Sequence, residues 1–202
     1  MEGGRDGGYR LAIQSGAVDS HFQELADALR SRLHGLSSER CQIHPPGGDH
    51  AWSTHNVIEH LVLTYRNTIV QVEKYRRRGS ASSRKPTLRE IAQRTVVVAF
   101  GHFPRGVPAP EFVFPGKQAI PAMGGSTLAK VFEEELGRMD AELDACERLF
   151  RAQKFAAHFR LGPLSAQQWR KFHLVHGRHH LAQVDRIERQ IRSNHQAPMK
   201  KS

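Results

Sequence analysis

Four of the chain's 13 histidines stand between positions 173 and 180, as His173, His176, His179 and His180. On a helix His176 and His180 are one turn apart and about 40° from each other around the axis, so both can direct a nitrogen at one ion from a rigid element. Trp169, Phe172 and Ile187 fall on the same stripe, which turns the pair inward. Burying two imidazoles costs free energy unless their nitrogens find partners. Two arrangements meet that need: a divalent metal with one or two further ligands, or hydrogen bonds to core neighbours. A metal requires a third ligand from another element. His55, His60 and His102 are candidates, with His44, His50 and His158 in loops, and periodicity alone does not select among them. His60 stands at the margin of its own apolar stripe, beside Asn56 and Thr64. Three neutral histidines without carboxylate or thiolate would leave the ion its full charge and an open position, the pattern of a catalytic rather than a closed structural site. No general base is evident. Gln183, one turn beyond His180, can hydrogen-bond but cannot take a proton, while His173 or His179 could orient a ligand or act as base. Glu59 adjoins His60 but points about 100° away around the helix, so it receives no role.

These residues need helices to hold them. Phe22, Leu25, Ala26, Leu29, Leu33 and Leu36 repeat at helical spacing behind Asp19 and Ser20, which predicts a helix over about 20–36. A polar link, Ser37 to His50, follows. Ser53 then caps a second long pattern through Val57, Ile58, Leu61, Val62, Tyr65, Ile69 and Val72 to Arg78 and Gly79. Thr87 opens a shorter helix toward Phe100, although the β-branched run Thr95 to Val98 also reads as a strand. Five prolines between 101 and 125 exclude a continuous helix or central strand there. That stretch is a long irregular connection, either the lid of a site or a cover on the bundle's side. A helix over about 127–153 places Leu128, Val131, Phe132, Leu136, Met139, Leu143, Cys146 and Phe150 on one face, making Cys146 a core residue rather than a nucleophile. Ser165 and Gln168 have capping-box spacing and open the histidine helix, which runs to about Ser193. Four long helices and one short one, without a convincing strand pattern, indicate an all-α bundle.

At 202 residues, with 39% hydrophobic and 25% charged, the chain has the composition of one ordinary domain whose core needs no metal or disulfide to hold it. Residues 1–18 read as a flexible segment, 19–194 as the domain and 195–202 as a disordered basic tail. No apolar run reaches the length of a membrane span, and no leader-like segment opens the chain. Cys41 and Cys146 lack CxxC spacing, which fits a reducing, cytoplasmic setting. A net charge of +10 makes polyanion binding the reading of a different class: a basic helical protein for nucleic acid or acidic partners, its histidines structural. The densest basic stretch, Arg76 to Arg78 with Arg84 and Lys85, also suits a helix C-terminus, and no nucleic-acid motif accompanies it.

The runs WSTHNVIEHL at 52–61 and LGPLSAQQWRKFHLVHGRHHLAQVDRI at 161–187 resemble the two motifs of the DinB/YfiT-like metalloprotein superfamily, and FPRGVPAP at 103–110 resembles the mid-chain loop of some members. The resemblance implies an up-down-down-up four-helix bundle, here with an extra short helix and a long Pro-rich loop, the parallel middle helices being joined by a long crossover. It implies one divalent metal, zinc or nickel, held by His60, His176 and His180, with His179 an unliganded neighbour. Many members of the superfamily dimerise, and Leu174 and Leu181, on the opposite face of the histidine helix, would suit such a contact or else pack under the 101–125 loop.

Relatives in that superfamily are described as transferases using low-molecular-weight thiols such as bacillithiol, mycothiol or glutathione, and others as hydrolases or maleylpyruvate isomerase-like enzymes. The resemblance therefore implies a small-molecule substrate and a catalytic water or thiol on the metal. Arg105 in the loop, or Arg178 near the pair, would be the receptor for a carboxylate of a peptide-like thiol, although Arg178 falls about 160° from His176 around the helix.

Overall fold

The computed structural model describes residues 19–46, 51–104, 106–116 and 119–196. The segments expected to be flexible or disordered lie outside these residues, apart from the end of the last helix, as does His50. Helix α1, Ser20–Leu33, begins where the Asp19 carboxylate accepts the His21 N–H, and it buries Phe22, Leu25, Ala26, Leu29 and Leu33. It stops short of Leu36 because the chain turns through Gly35, at φ 75°. The link expected to be irregular contains a short helix, α2, Ser38–Gln42, which buries Cys41. One buried position in five is too few for periodicity to reveal. Helix α3, Thr54–Arg78, has a reciprocal Ser53–Asn56 capping box at its start and a left-handed Gly79 at its end.

Helix α4, Leu88–Arg94, starts from a Thr87–Glu90 capping box. The chain then continues through Thr95–Ala99 as one turn of π-helix, so the strand reading of Thr95 to Val98 is wrong. The local reason is visible: the Thr95 hydroxyl donates to the Ile91 carbonyl at 2.9 Å and the Phe100 N–H to the Thr95 carbonyl at 3.1 Å, and among the described residues no neighbouring strand offers a ladder. After a 3₁₀ turn at Glu111–Val113 comes helix α5, Gly125–Phe150. Its first residue must be glycine, since a Cβ there would sit 2.0 Å from the Leu33 carbonyl oxygen. Strands β1, Ala156–His158, and β2, Gly162–Leu164, form a small antiparallel hairpin, the local pairing that the bundle tolerates. Helix α6, Ala166–Gln196, starts from the expected Ser165–Gln168 box, the Gln168 N–H donating to Ser165 Oγ and the Ser165 N–H to Gln168 Oε1.

Cross-helix pairs give the directions. Arg66 meets Glu135 and Arg76 meets Glu142, so α3 and α5 run parallel. Asp19 meets Asp140 and Arg30 meets Glu133, so α1 and α5 are antiparallel. Thr54 reaches Glu188 and Thr68 reaches His173, which makes α3 and α6 antiparallel. The result is the up-down-down-up bundle, with residues 79–124 as the crossover between parallel helices. Among the described residues no helix is long and apolar enough to cross a membrane.

One expected surface is not a surface. Leu174 and Leu181 are 5% and 6% exposed, buried in the chain's own core. They share a face of α6 with Gly177, against which Leu25 of α1 lies so closely that an added Cβ would come within 2.5 Å of its Cδ2. That face is used within the bundle and is not available as a dimer contact.

Candidate metal centre

His176 and His180 reach the interior because α6 presents them, one turn apart, toward α3, which presents His60. All three are buried. Their Nε2 atoms converge: 3.0 Å from His176 to His180 and 3.3 Å from His176 to His60. The ligand atoms of the three lie within 4.8 Å of one another, and this is the one group of its kind among the described residues.

The other ring nitrogens decide which lone pairs are free. His60 Nδ1 lies 2.8 Å from the Val113 carbonyl, which can only accept, so Nδ1 carries the hydrogen and Nε2 is left as a lone pair. His180 Nδ1 lies 2.8 Å from Gln183 Oε1 and is held the same way. His176 Nδ1 is buried with no hydrogen-bond partner among the described residues. Burial, the largest influence in each case, pushes all three imidazoles below their ordinary range, with the neighbouring histidines acting in the same direction. The cluster is therefore neutral at pH 7. Neutral nitrogens facing one another across 3 Å repel unless a proton or a cation lies between them. Zinc held tetrahedrally by nitrogens at about 2.0–2.1 Å places those nitrogens about 3.3 Å apart, so the donor set fits a divalent ion.

Rings wall the centre. Trp52 lies 5.0 Å from His60 and 6.2 Å from His180, and Phe172 stacks on His176 at 5.5 Å with 10° between planes. Phe103 of the Pro-rich connection packs 5.0 Å from both His176 and His179. Glu59, to which the sequence assigned nothing, ties that connection down. Its buried carboxylate accepts the Gly116 and Ala119 N–H groups, each at 2.7 Å. The connection in turn supplies the Val113 carbonyl that orients His60. The centre opens into a cavity of about 800 Å³ lined by the connection, by α3, α4 and the π turn, and by the hairpin tip. The connection thus borders that cavity.

The remaining candidates go elsewhere. His55 Nε2 lies 3.1 Å from the Pro121 carbonyl and His44 Nδ1 2.6 Å from the Ala51 carbonyl, while His102 is exposed. His158 Nδ1 accepts the Arg160 and Leu161 N–H groups, shaping the hairpin turn. His173 is fully buried, paired with Thr68 at 3.1 Å and packed on Tyr65 and Trp169 away from the cavity, whereas His179 lines it. Of the two arginines proposed as receptors, Arg178 is exposed and faces Glu24, and Arg105 lies outside the described residues. The sequence reading missed Trp52 as a wall and Arg160 as a lining residue. The only signal for either was Trp52's place at the head of the first motif.

Neither curated proteins nor solved structures yield a match to this chain. A family match does exist, and it spans both histidine-bearing helices and the crossover between them: over residues 21–184 the chain matches, and belongs to, the DinB superfamily.

Proposed function

We propose that the chain is a metal-dependent enzyme in which His60, His176 and His180 hold one zinc or nickel ion, and that it transfers a low-molecular-weight thiol to a small electrophile. The observation that carries this reading is the convergence of three buried, neutral Nε2 atoms at the end of a cavity whose described lining contains no aspartate or glutamate. With no carboxylate ligand the ion keeps its charge and an open position. When bound, it supplies Lewis acidity that lowers the proton affinity of a thiol or water.

The chain's own groups do the rest. The Val113 carbonyl and Gln183 fix two ligand tautomers, and Trp52, Phe103 and Phe172 keep bulk water from the centre. Val97, Val107, Phe112 and Val113 give the cavity an apolar wall for the electrophile. In the transfer a sulfur–carbon bond forms, the displaced group leaves with its electron pair, and the thiol proton passes to solvent or to His179 at the cavity wall. Hydrolysis of a small molecule would use the same groups with water in place of the thiol. Two free, buried cysteines suit a reducing, cytoplasmic setting. Charge pairing disfavours the polyanion reading: Arg76 pairs with Glu142, Arg77 with Glu73 and Arg84 with Glu90.

The test is metal analysis of the purified protein together with an electrophile panel, with and without glutathione, bacillithiol or mycothiol, comparing wild type with His180→Ala. About one ion per chain and a thiol-dependent rate lost in the variant are expected. Equal rates for both proteins under every condition would overturn the catalytic reading.

A further inference from the structure

Two cavities meet at the histidine centre. The second, about 710 Å³, is also bordered by the Pro-rich connection. Trp52, His179, His180 and the Val107–Ala109 segment line both. The Val107–Ala109 segment therefore borders both spaces, and of the three centre histidines His180 is the one that lines the second.

The two spaces differ in chemistry. The first is lined by valines, phenylalanines and prolines together with several histidines, Arg160 and the side-chain amides of Asn67, Gln71 and Gln93. The second is bordered along α6 by Gln183, Arg186 and Gln190, which share one face at successive turns. Arg186 is exposed and has no ion-pair partner among the described residues, although most arginines near the bundle's seams are paired. A guanidinium with no ion-pair partner among the described residues, flanked by an amide and lining the same cavity as His180, recognises a carboxylate or another oxyanion on a polar molecule.

We propose that the two substrates occupy separate cavities: the apolar electrophile takes the first, and a hydrophilic, anionic thiol lies along α6 in the second, its acidic group on Arg186 and its amide groups within reach of Gln190. This rests on the thiol-transfer reading above and adds to it which chain groups select the thiol. The alternative receptor is Arg160, which lines the first cavity. With Arg160 as receptor, both substrates would share one space.

The experiment uses the full chain loaded with Co(II), whose visible bands show that the ion is bound and whose near-ultraviolet thiolate band shows that a sulfur has reached it. Glutathione and the uncharged 2-mercaptoethanol are titrated into wild type, Arg186→Gln and Arg160→Gln. Both thiols should give the band in wild type. Arg186→Gln should need about tenfold more glutathione, with 2-mercaptoethanol unchanged, and Arg160→Gln should match wild type for both. Saturating toluene, a filler for the first cavity, should leave the glutathione titration in place. Loss of glutathione affinity in Arg160→Gln alone, or displacement by toluene, would overturn the two-cavity arrangement while leaving thiol binding intact. No thiolate band in wild type with either thiol would overturn the thiol reading and this inference together.

Discussion

Arg170 and His176 lie less than two turns apart on α6 and both are largely buried, yet their surroundings are opposite in kind. Arg170 meets Asp140, Asp144 and Glu147 of α5, so each nitrogen of its guanidinium has an acceptor. Donors match acceptors there, and the cluster joins α5 to α6. His176 meets two nitrogens whose other ring positions leave them as lone pairs, and its own Nδ1 has no partner among the described residues. A buried polar group whose needs are met inside the protein is structural. One whose nitrogens converge on a common point, with too few donors among the described residues, has the chemistry of a cation site.

The largest effect that would sharpen this contrast is loss of the ion. His176→Ala or His180→Ala should abolish stoichiometric metal while leaving the helical circular dichroism intact, because the core does not depend on an ion at this chain length. Full metal content in either variant would break the contrast at its centre. Arg170→Met should do the reverse. Stranding three acidic groups at the α5–α6 seam should cost about 3–5 kcal/mol, a fall in Tm of roughly 10 °C, with metal content unchanged. A variant as stable as wild type would show that the cluster is not structural.

Acidity should separate stability from charge pairing. Burial drives His158 down to about 3 and His173 well below its ordinary range, the Arg160 charge helping at His158. Their folded pKa values lie below the unfolded value of about 6.5, so the unfolded chain binds more protons in acid. Stability of the chelator-treated protein should be complete above about pH 7 and should fall as the pH drops below about 6.5. Thermal unfolding between pH 8 and pH 5 measures this, and a constant Tm across that range would contradict it.

Gln183→Ala removes the oxygen that orients His180 and should weaken metal binding by about 10- to 100-fold without a change in fold. Chelator competition reads the affinity directly, and an unchanged value would mean that His180 is oriented by packing alone. The smallest effect is expected at Gly177→Ala. The added methyl must displace the end of Leu25, a flexible side chain, and the gain in helix propensity offsets part of the strain. A net loss of about 1 kcal/mol, with metal affinity intact, is expected from denaturant unfolding.

Much of the helical framework was legible in the sequence because helices and their caps are decided within a few residues. Asp19, Ser53, Thr87 and Ser165 stand where the hydroxyl or carboxylate must be to accept the N–H of the first turn, and the apolar spacing behind them marks the buried face. The pairing of His176 with His180 was legible for the same reason. Where the local signal was weak it misled or was silent. The β-branched run at Thr95 reads equally as strand, α2 carries a single buried residue, and each strand of the hairpin is three residues long.

What the sequence determined by itself, then, was a set of amphipathic helices, one of which carries two histidines able to face one ion, with a family resemblance nominating His60 as their companion. Tertiary structure alone decided the register of α3 against α6 that brings His60 Nε2 to His176, while His55, His102 and His158 go elsewhere. It also decided that Glu59 ties the crossover down, that the Val113 carbonyl orients a ring 53 residues away, and that the crossover borders two cavities beside His180. The reason is physical. A cap or an apolar stripe is satisfied by neighbours along the chain, whereas a convergent site depends on where segments far apart in sequence come to rest when they share one core.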